Sequence, residues 1–351
     1  MRQKQAAVLR TSYRSIGVLM ILLGLGRQAA AQTDSAKEIN PDYYETYPEL
    51  ITGRTYFSQK YTSLILEARE SVDDLKYRPN TTLNFGVGAT YGWFTLNLAY
   101  GFDFLNGGDE AKGETRYLDL QSHVYTRKMC IDLFGQFYRG FYLHPKGTAA
   151  ELDKYYVRKD VKVRHLGAAA YYIFDWHKLS MRAAMLQNEW QKKSAGSLLV
   201  GGEFYFGVTT GDSALVPGLL AQDYRQAGVD KFRYFDIGPG IGYAYTFVYR
   251  EHLFAMGGIT ASFPLNFQKE WIGDHSERKF SISPDLMYRI GIGYGDERAN
   301  ISATWVNNTF QTRGHSGKYQ IRTGNVRLNA AFRFMPGPRL KKLIRPFHSG
   351  M

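Results

Sequence analysis

The stretch NFGVGATYGWFTLNLAYGFDF (84–104) decides the fold. Phe85, Val87, Ala89, Tyr91 and Trp93 are apolar or aromatic, while Asn84, Gly86, Gly88, Thr90 and Gly92 are small or polar. Past Tyr91-Gly92 the apolar set becomes Phe94, Leu96, Leu98, Tyr100, Phe102 and Phe104, alternating with Thr95, Asn97, Ala99, Gly101 and Asp103. A period of two marks extended strands, each with one face in an apolar medium. That medium is either a protein core or a lipid bilayer.

Working outward, the same alternation recurs over most of the chain. Further strands are read at 56–66, 117–125, 131–141, 163–174, 179–186, 198–208, 236–248, 253–265, 280–294, 300–308 and 319–334. In 236–248 the face Ile237, Ile241, Tyr243, Tyr245 and Phe247 opposes Asp236, Gly238, Gly240, Gly242 and Thr246. In 131–141, Ile131, Leu133, Phe137 and Phe141 oppose Asp132, Gln136 and Tyr138. The second face is mostly Gly, Ala, Ser, Thr and Asn with isolated charges. A soluble sandwich would present Lys, Glu and Thr to water there; small residues suit the crowded interior of a closed barrel. Tyr91, Trp93, Trp176, Tyr249, Tyr294 and Trp305 near strand ends suit an interfacial aromatic girdle. The expected fold is all-β, a transmembrane antiparallel β-barrel.

The reading yields thirteen candidate strands. A bacterial barrel has an even number, so twelve are expected, with fourteen as the alternative. Tight connections near 91–92, 127–128, 175–178, 250–251 and 295–298 are assigned to the periplasmic side. Longer ones near 105–114, 143–158, 187–196, 268–278 and 311–318 are assigned to the outside. Between 211 and 231 the alternation breaks: a strand missed, a strand too many, or a large periplasmic insertion.

Composition agrees. Aromatics make up 15% of the chain and Gly numbers 36, yet mean hydropathy is below zero and no later segment approaches the ~20 apolar residues of a spanning helix. A barrel hides its hydrophobicity at every second residue. Residues 1–31 carry Arg2, Lys4, Arg10 and Arg14, an apolar run at 16–25, and Ala29-Ala30-Ala31. That is the layout of a cleaved secretory signal; the alternative, a membrane anchor, needs about twice that apolar length. The formal charge is +12, and the signal's five basic residues leave +7 on the remainder. No Lys/Arg cluster interleaved with stacking aromatics remains, so nucleic acid is not an expected partner. The single cysteine, Cys130, excludes an internal disulfide and a Cys-based zinc site. The expected layout is a signal at 1–31, a periplasmic lead-in at 32–54, a barrel at 55–334 and a basic periplasmic tail at 335–351.

Ionisable residues on the inward face are the candidate functional set: Asp103, Asp119, His123, Asp132, His165, Glu203, Asp236, Asp285, Arg289, Arg327 and Arg333. Charges away from water must be paired, so these groups form either a plug of ion pairs and hydrogen bonds or the lining of a channel or ligand site. Catalysis would need a hydroxyl within reach of a His, and the candidates are His315-Ser316 and His165 with Ser194 or Ser197. Adjacent residues on a strand point to opposite faces, which argues against the first pair. The acidic pairs Asp73-Asp74 and Asp109-Glu110 lack the spacing of a calcium loop, and GPGIG (238–242) has no helix after it to bind phosphate. No metal or cofactor is expected.

YFSQKYTSL (56–64), LKYRPNTTLNFGVGATYGWFTLNLAYGF (75–102) and QKKSAGSLLVGG (191–202) resemble an uncharacterised family of exported barrel proteins of Bacteroidetes-type bacteria, the domain of unknown function 4421. The resemblance covers most of the mature chain and implies an outer-membrane barrel with no established activity. One departure concerns assembly, since many such barrels end in an aromatic residue. Here Phe334 is followed by a tail with Arg339, Lys341, Lys342 and Arg345. The expected protein is a monomeric outer-membrane barrel, a passive narrow channel or a structural barrel. A barrel enzyme acting on lipid or envelope glycan and an adhesin are the alternatives. Its expected partners are outer-membrane lipids, the barrel-assembly machinery and periplasmic chaperones.

Overall fold

A computed structural model describes residues 39–344, apart from 70, 71, 93 and 107–109. The signal at 1–31, Trp93, Asp109 and the end of the basic tail lie outside the described residues.

The strands are β1 (Tyr44–Thr46), β2 (Ile51–Leu66), β3 (Leu75–Arg78), β4 (Asn84–Tyr91), β5 (Phe94–Tyr100), β6 (Arg116–Asp119), β7 (Ser122–Tyr125), β8 (Met129–His144), β9 (Val157–Ile173), β10 (Glu189–Gln191), β11 (Ala195–Thr210), β12 (Lys231–Tyr249), β13 (Leu253–Ser262), β14 (Leu265–Ile272), β15 (His275–Ile282), β16 (Asp285–Gly295), β17 (Ala299–Arg313) and β18 (Lys318–Phe334). Four passes are interrupted, giving β3/β4, β6/β7, β13/β14 and β15/β16. Three of the breaks fall at Pro79, Pro264 and Pro284, where the missing N–H cannot join a ladder. With each interrupted pass counted once, the wall has twelve passes among the described residues. All pairings are antiparallel, and the ring closes because β11 pairs with both β9 and β12 while β18 pairs back to β2.

The surplus thirteenth candidate is explained. Residues 179–186 are not a strand: Met181–Met185 form a short helix, N-capped by Ser180, whose Oγ accepts from Ala183 N at 3.0 Å. Residues 187–196 therefore do not form an outward loop. Residues 187–194 belong to one connection between β9 and β11 at the tight-turn end, where β10 pairs with β1 of the lead-in, and 195 and 196 begin β11. The break at 211–231 is a loop at the opposite, long-loop end.

The outward face is greasy over its whole circumference, with Phe206, Phe235, Ile241, Ile292, Ile301 and Leu328 all exposed. Exposed apolar area on this scale is stable only in lipid. One alternation flips. Phe141, expected outside with Phe137, is 1% exposed, because the β8–β9 register shifts between Arg139 and Phe141. Gly140 sits in that bulge at φ +91, where a Cβ would lie 2.3 Å from Glu114 O. One extra residue turns every later side chain to the other face.

Candidate functional site

The barrel axis is filled at three levels. At the long-loop end the loop 211–230 enters the mouth, burying Leu215, Val216, Tyr224 and Val229 against Leu64, Phe232 and Tyr319. Tyr77 donates to Leu215 O at 2.5 Å and Arg158 to Ala214 O at 2.8 Å, which ties the loop down. Midway, Phe134, His165, Tyr205 and Phe310 form an aromatic layer, with the rings of Tyr205 and Phe310 4.1 Å apart. At the tight-turn end the helix Met181–Met185 lies inside the wall with Met181 and Ala184 buried.

The structure distributes the eleven predicted residues among distinct roles. Asp132, His123 and Arg289 form one chain: Arg289 donates to Asp132, whose other oxygen is 2.6 Å from His123 Nδ1. Both Asp132 and Arg289 have fully buried side chains. His165 pairs through Nδ1 with the Tyr234 hydroxyl at 2.6 Å. Glu203 accepts from the hydroxyls of Ser262, Tyr171 and Tyr205, and Asp285 accepts from Gln311 N at 2.6 Å. Asp236 is buried, and among the described residues neither of its carboxylate oxygens is hydrogen-bonded. Arg333 clamps the plug, donating to Gln187 O at 2.9 Å, Glu189 O at 2.8 Å and Asp296 O at 2.5 Å. Asp103 departs from expectation: β5 ends at Tyr100, and Asp103–Leu105 is a turn of 3-10 helix beyond the wall strand.

Neither catalytic arrangement is assembled. Ser316 donates through both N and Oγ to Glu270, each at 2.9 Å. Ser197 is engaged by Asp175 N and Leu198 O, and Ser194 by Val248. Among the described residues no His, Cys, Asp and Glu cluster could hold a metal ion.

The remaining residues, Asp119 and Arg327, line an opening that sequence reading missed. β5 pairs with β4, and β6 and β7 pair with β8, yet no ladder joins β5 to β6 or β7 among the described residues. The ring closes past this seam only at the long-loop end, where β3 pairs with β8 over three positions. A cavity of about 700 Å³ opens at the seam, within the range of small-molecule sites. Its wall carries Asn97, Gln121, Asn325, Lys60, Asp119 and Arg327.

The two cations of the cavity differ. Lys60 Nζ is 3.5 Å from Asp119 Oδ1, and Tyr138 and Gln136 also donate to that carboxylate, at 2.6 and 3.0 Å. Among the described residues Arg327 has no carboxylate partner; its guanidinium stacks on the Tyr56 ring at 4.4 Å, with Nε buried and unbonded. The Tyr56 ring lies over Gly86, where a Cβ would meet it at 2.3 Å. Glycine there is required by close approach. Outside the seam, Leu96 and Leu98 on β5 and Leu118, Leu120 and Val124 along β6 and β7 are exposed. The missed signal was the inward period-two set Arg54, Tyr56, Ser58 and Lys60 in β2.

Among solved structures, the chain is similar to the outer-membrane protease OmpT from Escherichia coli, at 9% identity and TM-score 0.36, over 83% of this chain and 98% of that one. It is also similar to the translocator domain of the autotransporter NalP from Neisseria meningitidis, at 9% identity and TM-score 0.31, over 92% and 99%. Neisserial surface protein A matches at 10% identity and TM-score 0.23, over 81% and 97%. Likenesses this distant carry no argument about activity. No curated protein matches the chain. The family model described as a domain of unknown function (DUF4421) matches residues 32–334, and the chain belongs to that family.

Proposed function

We propose that this protein is an outer-membrane barrel that holds an amphiphile with an anionic headgroup in its side-opening cavity, and does not conduct solute along its axis. One observation carries the reading: the Arg327 guanidinium faces the cavity with no carboxylate partner among the described residues. An ionised group of this kind is satisfied by an anion, and a carboxylate or phosphate matches its fork of donors. The seam, with apolar residues on both edges, gives an acyl chain a way to lie toward the bilayer while the headgroup stays inside. The filled axis supports the same reading, since Leu215, Tyr205 and Met181 are each nearly inaccessible at their own level. The outer membrane as location rests on the signal layout of 1–31 together with the closed, lipid-faced wall.

The test uses the purified barrel reconstituted in lipid. A fluorescent long-chain carboxylate is expected to bind at a stoichiometry near one, and planar bilayers are expected to show no steady conductance. Sustained ohmic channels, or absence of saturable binding, would overturn the proposal.

A further inference from the structure

A second feature lies on the outside of the wall, away from the seam. Hydrogen-bond register aligns the outward residues of β9, β11, β12, β14 and β15 into level rows. One row is Leu166, Phe206, Phe235, Phe267 and Phe280. The row directly above it, toward the long-loop end, is Arg164, Val208, Arg233, Lys269 and Arg278. The next is Lys162, Thr210, Lys231, Trp271 and Ser276. Six cations thus sit immediately over an apolar belt, with no acidic residue in the three rows.

Among the described residues none of the six is in an ion pair. Two nearby carboxylates are already engaged. Asp160 accepts from both Arg158 Nε and Nη2, at 2.8 and 2.7 Å, and Glu277 pairs with His275 at 2.7 Å. Trp271 anchors the cluster, with Lys231 and Lys269 at 4.5 and 4.6 Å from its ring and Arg233 at 5.8 Å. Strands lie about 4.8 Å apart, so the patch spans roughly 20 Å along the circumference. Apolar residues below and unpaired cations above, with a Trp among the cations, describe a lipid whose chains are apolar and whose headgroup is multiply anionic.

We propose that this face binds the phosphates of a phosphorylated saccharolipid of the lipid A type in the leaflet on the long-loop side. A glycerophospholipid with one phosphate would leave most of these cations unpaired, whereas a headgroup with two separated phosphates engages more of them across their spread. The proposal rests on the outer-membrane location given above.

The test compares the full mature protein with Arg233→Glu/Lys269→Glu, both in detergent and both checked for heat-modifiable migration as a sign of folding. Wild type is expected to retain diphosphoryl lipid A at least ten-fold more tightly than the double variant. A dephosphorylated lipid A should be held equally weakly by both. Equal retention of diphosphoryl lipid A by the two proteins overturns the proposal, as does equally tight retention of phosphatidylglycerol by wild type. Membrane fractionation separates the two failures. Recovery in the inner membrane contradicts the location, while recovery in the outer membrane without selective retention contradicts only this site.

Discussion

Asp132→Ala is expected to be the most destabilising single substitution in the barrel wall. It leaves the Arg289 guanidinium, whose side chain is fully buried, without its carboxylate. Removing one partner of a buried pair costs about 3–5 kcal/mol, because the other charge stays in a medium that cannot solvate it. The same change frees His123 from its 2.6 Å contact. The readout is the urea midpoint of the folded form, followed by heat-modifiable migration. A second variant separates lost charge pairing from lost shape. Asp132→Ala with Arg289→Met removes both charges and is expected to recover much of the loss, since an apolar replacement of a buried pair is often neutral. A wild-type midpoint for Asp132→Ala alone would show that the pair does not hold β8 to β16.

Arg327→Ala is expected to weaken binding of a long-chain carboxylate by about ten- to a hundred-fold, the equivalent of roughly 1.5–3 kcal/mol for a hydrogen bond to a charged group. The corresponding alcohol, which carries no charge, should bind wild type and variant alike. Arg327→Lys is expected to keep part of the affinity, since it retains the charge but not the two-pronged donor geometry. Lys60→Met is the control from the same cavity. Lys60 already pairs with Asp119, so its loss should matter less for the ligand. If Arg327→Ala and wild type bind the carboxylate equally, the anion site is not at Arg327.

Much of the wall was legible from residue order. Period-two alternation located every pass, and parity reduced thirteen candidates to the twelve observed. The misreadings have physical causes. Residues 179–186 mix apolar and polar residues in a way that fits a short strand as well as a helix. Only the Ser180 cap and the burial of Met181 and Met185 decide for the helix. Phe141 changed sides because of a bulge at Gly140, and a bulge is a one-residue event that periodicity cannot register. The inward charges were recognised individually, but not their partners. Asp132 and Arg289 are 157 positions apart and meet only across the closed ring. The seam was hidden for a related reason. Residues 84–100 alternate as cleanly as any stretch, and nothing within them records that β5 lacks a neighbour on one edge.

The unpaired edge of β5 belongs to the 84–104 hairpin, and a side opening is most directly tested there. Asn97, on the inward face of β5, is exposed and lines the cavity. With Cys130, the one native cysteine, changed to Ala, an Asn97→Cys thiol can be probed alone in liposomes. A maleimide carried on an acyl chain, and so confined to the bilayer, is expected to modify it readily, and a long-chain carboxylate should slow that reaction. Labelling only by a membrane-impermeant, water-soluble maleimide, with no reaction from the lipid phase, would place the entrance at the barrel mouth and contradict the side opening.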